Sequence, residues 1–205
     1  VGNSGTILTS PNGITWTTRT SGTTLQFYEV VWSGTQFCAV GQSGTIRTSP
    51  DGITWTTRTS GTTSALYGVV WTGTQFCAVG ASGRVITSSD GVTWTLRTSG
   101  TGSTLNEVVW SGTQFCFVGQ SGMIKTSPDG ITWTSRTSGT TQTLNAITWS
   151  GTQFCLVGNS ATIRTSPDGI TWTTRTSWTT DSFNDITWTG TQLCAVGFTG
   201  RIITS

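Results

Sequence analysis

The 205-residue chain has no histidine, so imidazole metal ligands and histidine-based acid–base catalysis are excluded. Charge is scarce at 9% of residues, and ten basic and eight acidic side chains leave a net charge of +2. They form no basic stripe, so nucleic acid is not an expected partner. No apolar run approaches the roughly 18 residues of a membrane-spanning helix. Alanine, leucine, glutamate and lysine, which long helices need, are sparse. Serine and threonine dominate, beside 27 glycines and 11 tryptophans. This is the composition of an all-β protein with many tight turns.

The chain is a repeat. Trp16, Trp55, Trp94, Trp133 and Trp172 are each 39 residues apart, as are Cys38, Cys77, Cys116, Cys155 and Cys194. Five periods leave ten residues over, and "VGNSGTILTS" at one end matches "VGFTGRIITS" at the other. Each unit reads as four short strands. In one of them "YGVVW" is followed by the turn signal "TG", then "TQFCAVG", "RVITS" and "VTWTLRTS", with "ASG" and "SDG" between them. Along the second strand Phe76 and Ala78 fall on one face, Cys77 and Val79 on the other. One such sheet cannot cover both of its faces, but identical sheets stacked side by side can.

The expected fold is therefore an all-β, five-bladed β-propeller of four-stranded antiparallel blades with a 39-residue repeat and velcro closure. Units of about 25–63, 64–102, 103–141 and 142–180 form whole blades. Residues 181–205 and 1–24 combine in a composite fifth, whose fourth strand comes from the segment around Trp16. The third strand of that blade is present twice, in 1–10 and 196–205, and the surplus copy could pair with another chain to give a homo-oligomer.

Most repeated residues read as scaffold. The five tryptophans are expected to pack between blades. Asp51, Asp90, Asp129 and Asp168 precede glycine and read as turn formers, a role that Asn12 takes in the first copy. The cysteines fall at one place in five different blades, too far apart for disulfides. Arg19, Arg58, Arg97, Arg136 and Arg175 are expected to be solvated charges on the outermost strands. No metal or cofactor is implied.

The stretch "TSPDGITW" resembles the Asp-box repeat of sialidase-like propellers, with one residue fewer between Asp51 and Trp55. Together with "FCAVGQSGTIRTSPDG" it looks more like the repeats of photosystem II assembly-factor propellers and related bacterial and phage proteins. The resemblance covers the whole chain and implies a propeller fold. Sialidase activity does not follow from it, because no arginine triad with a Tyr–Glu pair is present. Five blades are also the architecture of tachylectin-type lectins, an analogy of architecture alone.

The copies differ in two places. One precedes the first strand and enters it: "TTLQFYE", "TTSALYG", "TGSTLNE", "TTQTLNA" and "TTDSFND". The other is the loop "VGxSG", which carries Asn3, Gln42, Ala81, Gln120, Asn159 and Phe198. In a propeller both emerge on one face, opposite the aspartate turns. Gln42, Gln120, Asn159, Tyr28, Tyr67, Asn106, Asn145 and Asn184 are the candidate ligand-binding residues, since amides beside aromatic rings suit sugar hydroxyls. The expected function is non-catalytic, multivalent binding of carbohydrate. The alternatives are a protein-assembly scaffold and a symmetric repeat without a ligand.

Overall fold

The computed structural model describes residues 1–205 and divides them into two compact units, Val1–Arg97 and Thr98–Ser205. All regular structure is strand, apart from single 3-10 turns. No helix is long and apolar enough to cross a membrane.

The first unit opens with β1 (Ile7–Thr9) and β2 (Thr17–Arg19), a two-stranded antiparallel sheet. A four-stranded sheet follows: β3 (Phe27–Trp32), β4 (Phe37–Gly41), β5 (Ile46–Ser49) and β6 (Thr56–Arg58). The next holds β7 (Leu66–Trp71), β8 (Phe76–Gly80), β9 (Arg84–Ser88) and β10 (Thr95–Thr98), the last of which runs one residue into the second unit. The second unit has two further four-stranded sheets. One comprises β11 (Leu105–Trp110), β12 (Phe115–Gly119), β13 (Ile124–Ser127) and β14 (Thr134–Arg136); the other, β15 (Leu144–Trp149), β16 (Phe154–Gly158), β17 (Ile163–Ser166) and β18 (Thr173–Arg175). It ends in a three-stranded sheet of β19 (Phe183–Trp188), β20 (Leu193–Gly197) and β21 (Ile202–Thr204).

Within each four-stranded sheet the strands pair in sequence order, as tight turns require. Alternation along the second strand then covers both faces. Cys38, Val40 and Ile46 of one sheet meet Leu66, Phe76, Ala78 and Ile86 of the next, with Trp94 packed against them. Cys116, Val118 and Ile124 meet Leu144, Phe154 and Leu156 in the same way, with Trp172 alongside. Trp55 packs against Ile7, Phe27 and Ala39. Phe76, Phe115 and Phe154 are fully buried, each worth about 1.5–3 kcal/mol of apolar burial.

Trp16 departs from this rule. Trp55, Trp94 and Trp172 pack on cores that include residues of the sheet preceding their own, and no sheet precedes β1 and β2 in the chain; Trp16 is 57% exposed. Both copies of the duplicated third strand are paired within their own sheets. β20 takes β21 as its third strand, in the register Ala195↔Ile203, while β1 pairs with β2. The two copies of the third strand are nearly alike, and β21 follows β20 through one short turn, so its pairing costs the least chain entropy. An apolar cavity of about 480 Å³ lies where the three-stranded sheet meets the sheet before it. Val157, Ile163, Ile186, Leu193, Ala195 and Ile203 contribute to its walls.

The repeated arginines are not simply solvated. Each Nε donates to a threonine on the neighbouring third strand: Arg19 to Thr9, Arg58 to Thr48, Arg97 to Thr87, Arg136 to Thr126 and Arg175 to Thr165, all at 2.8 Å. They pin the outermost strand of each sheet. The five cysteines are free thiols. Burial pushes Cys77 up to about 12 and Cys155 up to about 11, so both are neutral packing groups.

Candidate functional site

Each sheet has two ends of different character. At one end lie the aspartate turns. Asp51 Oδ1 accepts the N–H groups of Ile53 and Thr54, both at 2.8 Å, and the hydroxyl of Ser49 at 2.9 Å. These bonds hold the carboxyl below its usual range, and Asp90 reaches about 2. The indole of Trp55 donates to Gly52 O at 3.0 Å. The serine hydroxyl, the N–H groups from Asp51 to Thr54 and the indole are all bonded within the turn, as expected of scaffold.

The opposite end carries the variable residues and brings both variable segments together. The N–H of Gln42 donates to Gln26 O at 2.8 Å, Ala81 to Ala65 O at 2.9 Å, Gln120 to Thr104 O at 3.0 Å and Asn159 to Thr143 O at 2.9 Å. The backbones run so close that a Cβ on Gly80 would lie 2.0 Å from Ala65 O, which explains the glycine before each variable loop residue. Two residues on, Gly44 has φ +70°, and its Cβ would lie 2.1 Å from Thr62 O.

The first strand of each four-stranded sheet and of the three-stranded sheet is bulged here. The ladder skips a residue between Phe27 and Glu29, Leu66 and Gly68, Leu105 and Glu107, Leu144 and Ala146, and Phe183 and Asp185. The skipped residues are Tyr28, Tyr67, Asn106, Asn145 and Asn184, the first-strand set singled out from the sequence. A bulge re-aims its side chain away from the pleat. In the first unit the two rings meet edge to face, with centroids 4.9 Å apart. Burial, and then the neighbouring Tyr67, raises the Tyr28 phenol above its ordinary value.

In the second unit the same column is amide, and most of it is engaged. Asn106 Nδ2 donates to Leu144 O of the next sheet at 2.8 Å. Asn145 Nδ2 donates to Phe183 O at 2.6 Å and to Asn159 Oδ1 at 3.0 Å. Asn184 is exposed, as are Gln42 and Gln120 at their loop tips. The expected amide pockets are thus partly spent on holding neighbouring sheets together.

The acidic residues beside the bulge were left out of the candidate binding residues. Glu29 Oε2 accepts the N–H of Val69 on the next sheet, and Asp185 Oδ1 that of Ile186 at 2.7 Å. Glu107 Oε1 accepts the N–H of Val108 at 3.1 Å. Acid in three of five copies, immediately after the tyrosine or asparagine, was the available signal.

No family model matches the chain, and no curated protein matches it. Solved structures do. A structure of YCF48 bound to D1 peptide has a TM-score of 0.71 at 17% identity, over 88% of this chain and 63% of that one. YCF48 from Cyanidioschyzon merolae has a TM-score of 0.72 at 14% identity, over 96% and 72%. The WD40 β-propeller domain of Doa1 has a TM-score of 0.72 at 12% identity, over 99% and 68%. The chain spans less than two thirds of the first of these. The likeness establishes a β-propeller repeat fold of four-stranded antiparallel blades.

Proposed function

We propose that the chain is a non-catalytic binding protein that takes a peptide segment of another protein across the bulged ends of its first strands. The observation that carries this reading is the bulged column. It is the place where a uniform scaffold turns its side chains out of the pleat and also varies them, from the Tyr28–Tyr67 pair to the exposed Asn184. Aromatic rings flanked by amides and by Glu29 offer stacking surface and hydrogen bonds to a peptide backbone. Support also comes from the similar propeller whose structure is of YCF48 bound to D1 peptide. The absence of histidine, and of any recurring nucleophile–base pair, favours binding over catalysis.

Carbohydrate binding is the weaker reading. A lectin site built on amides needs them free, and Asn106, Asn145 and Asn159 are engaged within the chain. The test is selection from a phage-displayed random peptide library, with a glycan array in parallel. Enriched peptides that fail to bind the Tyr28→Ser/Tyr67→Ser variant are the expected result. An array with saturable glycan binding, and no enriched peptide, would reverse the assignment.

A further inference from the structure

Three equivalent grooves follow the outer strands β2, β6 and β14, with volumes of about 470, 500 and 560 Å³. Each is walled by a Thr-Ser-Gly-Thr-Thr segment and by the arginine that pins its strand: Arg19, Arg58 or Arg136. None is lined by a carboxylate. The three differ in one respect. The groove beside β6 has a second guanidinium, that of Arg84 at the start of β9.

The Arg84 guanidinium makes no hydrogen bond or ion pair, and its Nε is buried without a partner; the Nε of Arg164 is likewise unpaired, but there the Nη atoms donate to Thr174 Oγ1 and Gly139 O. A buried guanidinium N–H left unpaired in a folded protein requires an explanation. The repeat supplies an internal comparison. Arg201 occupies the same column three periods later, and there its Nε donates to Asp181 Oδ2 at 3.0 Å and its Nη2 lies 2.9 Å from that oxygen. The residue equivalent to Asp181 beside Arg84 is Ser64. The remaining copies of the column are Thr6, Thr45, Met123 and Thr162, with no charge to satisfy. Arg84 is thus a cation whose carboxylate is missing from the chain, and it faces a groove that already holds Arg58. The Nε of Arg58 is committed to Thr48 Oγ1 at 2.8 Å, which orients the rest of its fork.

We propose that this groove is a binding site for a tetrahedral oxyanion, the phosphate or sulfate group of a ligand. Arg201 shows that one guanidinium satisfies one carboxylate in this protein. The groove offers more donors than that: two guanidiniums, with hydroxyls from Ser43, Thr59 and Thr63 among its walls. Such a set matches a group with three or four oxygens in a tetrahedron better than the two coplanar oxygens of a carboxylate. The groove lies beside the Gln42 loop at the bulged end, yet the anion reading does not depend on the peptide reading and needs no peptide to be tested.

The experiment is calorimetric titration of the whole chain with sodium phosphate and, separately, sodium sulfate at low ionic strength, with sodium acetate as the carboxylate comparison. One oxyanion per chain is expected, with acetate weaker. Arg84→Thr, which copies the residue at 45 and 162, should weaken binding at least roughly tenfold. Arg84→Lys should lie between the two, and Arg201→Thr should change nothing. Thermal melts of each variant separate loss of the site from loss of the fold. Binding of phosphate but not sulfate, or the reverse, identifies the group. The proposal is overturned if neither anion binds saturably at millimolar concentration. It is equally overturned if Arg84→Thr, still folded, binds as tightly as the parent chain, or if acetate binds as well as both anions.

Discussion

The two ends of each sheet are built from the same repeat yet behave differently. At the aspartate-turn end the copies are nearly identical and internally saturated: the carboxylate, the serine hydroxyl and the indole N–H are all bonded within seven residues. At the bulged end the backbone geometry repeats and the side chains do not. Tyr28 and Tyr67 meet edge to face, Asn106 and Asn145 bridge to the next sheet, and Asn184 is exposed. The difference teaches where variation is tolerated. A turn bonded within itself accepts only a residue that repeats its bonds, as Asn12 does, whereas a bulge supports several side chains on one backbone.

The sharpest form of that contrast is a pair of substitutions. Trp94 packs on the core formed by Cys38, Val40 and Ile46, so Trp94→Ala should cost about 2–4 kcal/mol in denaturant unfolding. Tyr67→Ala, at the bulged end of the same sheet, should stay within about 1 kcal/mol. Equal losses would erase the distinction between scaffold and site.

Acid separates the ends in a second way. The depressed carboxyls of Asp51, Asp90, Asp129 and Asp168 are held down first by backbone N–H groups. Their contribution to stability is therefore complete above the ordinary aspartate value of about 3.9. It is lost as pH falls through the folded values, which for Asp90 is about 2. Thermal stability should decline between about pH 4 and pH 2. The fourfold Asp→Asn variant should flatten that decline, because Asn12 already forms the same turn, its Oδ1 accepting from Ile14 at 2.9 Å and Thr15 at 3.0 Å. A decline unchanged in the variant would place the acid sensitivity elsewhere.

A smaller effect is expected within the bulged end itself. Ala161 stands in the column of Gly44 and is held at φ +55°. Ala161→Gly should stabilise the chain by about 0.5–1 kcal/mol, the relief of left-handed strain less the added freedom of the unfolded chain. A loss of stability would mean that the local backbone does not need glycine.

Much of this was legible in the sequence, for physical reasons that differ by feature. Strands and turns are local, so a 39-residue period with Asp-Gly and Gly signals was enough to place them. Trp16 was misplaced because its packing depends on a neighbouring sheet, which no property of its own segment reveals. The bulge is a property of register between two strands. The sequence therefore pointed to Tyr28, Tyr67, Asn106, Asn145 and Asn184 as varying, without disclosing that two of the amides bridge sheets. Arg84 was visible as a charge in a column of threonines, but its missing partner became clear only beside Arg201 and Asp181.

The central claim, that the bulged end is the recognition surface and the aspartate-turn end is scaffold, is tested most directly by amide chemical-shift mapping with a selected peptide. The account predicts perturbed resonances at Tyr28, Gln42, Tyr67 and Ala81, with the amides of Ile53, Thr54, Val92 and Thr93 unmoved. Perturbations centred on those turn amides, with the bulged column silent, would contradict it.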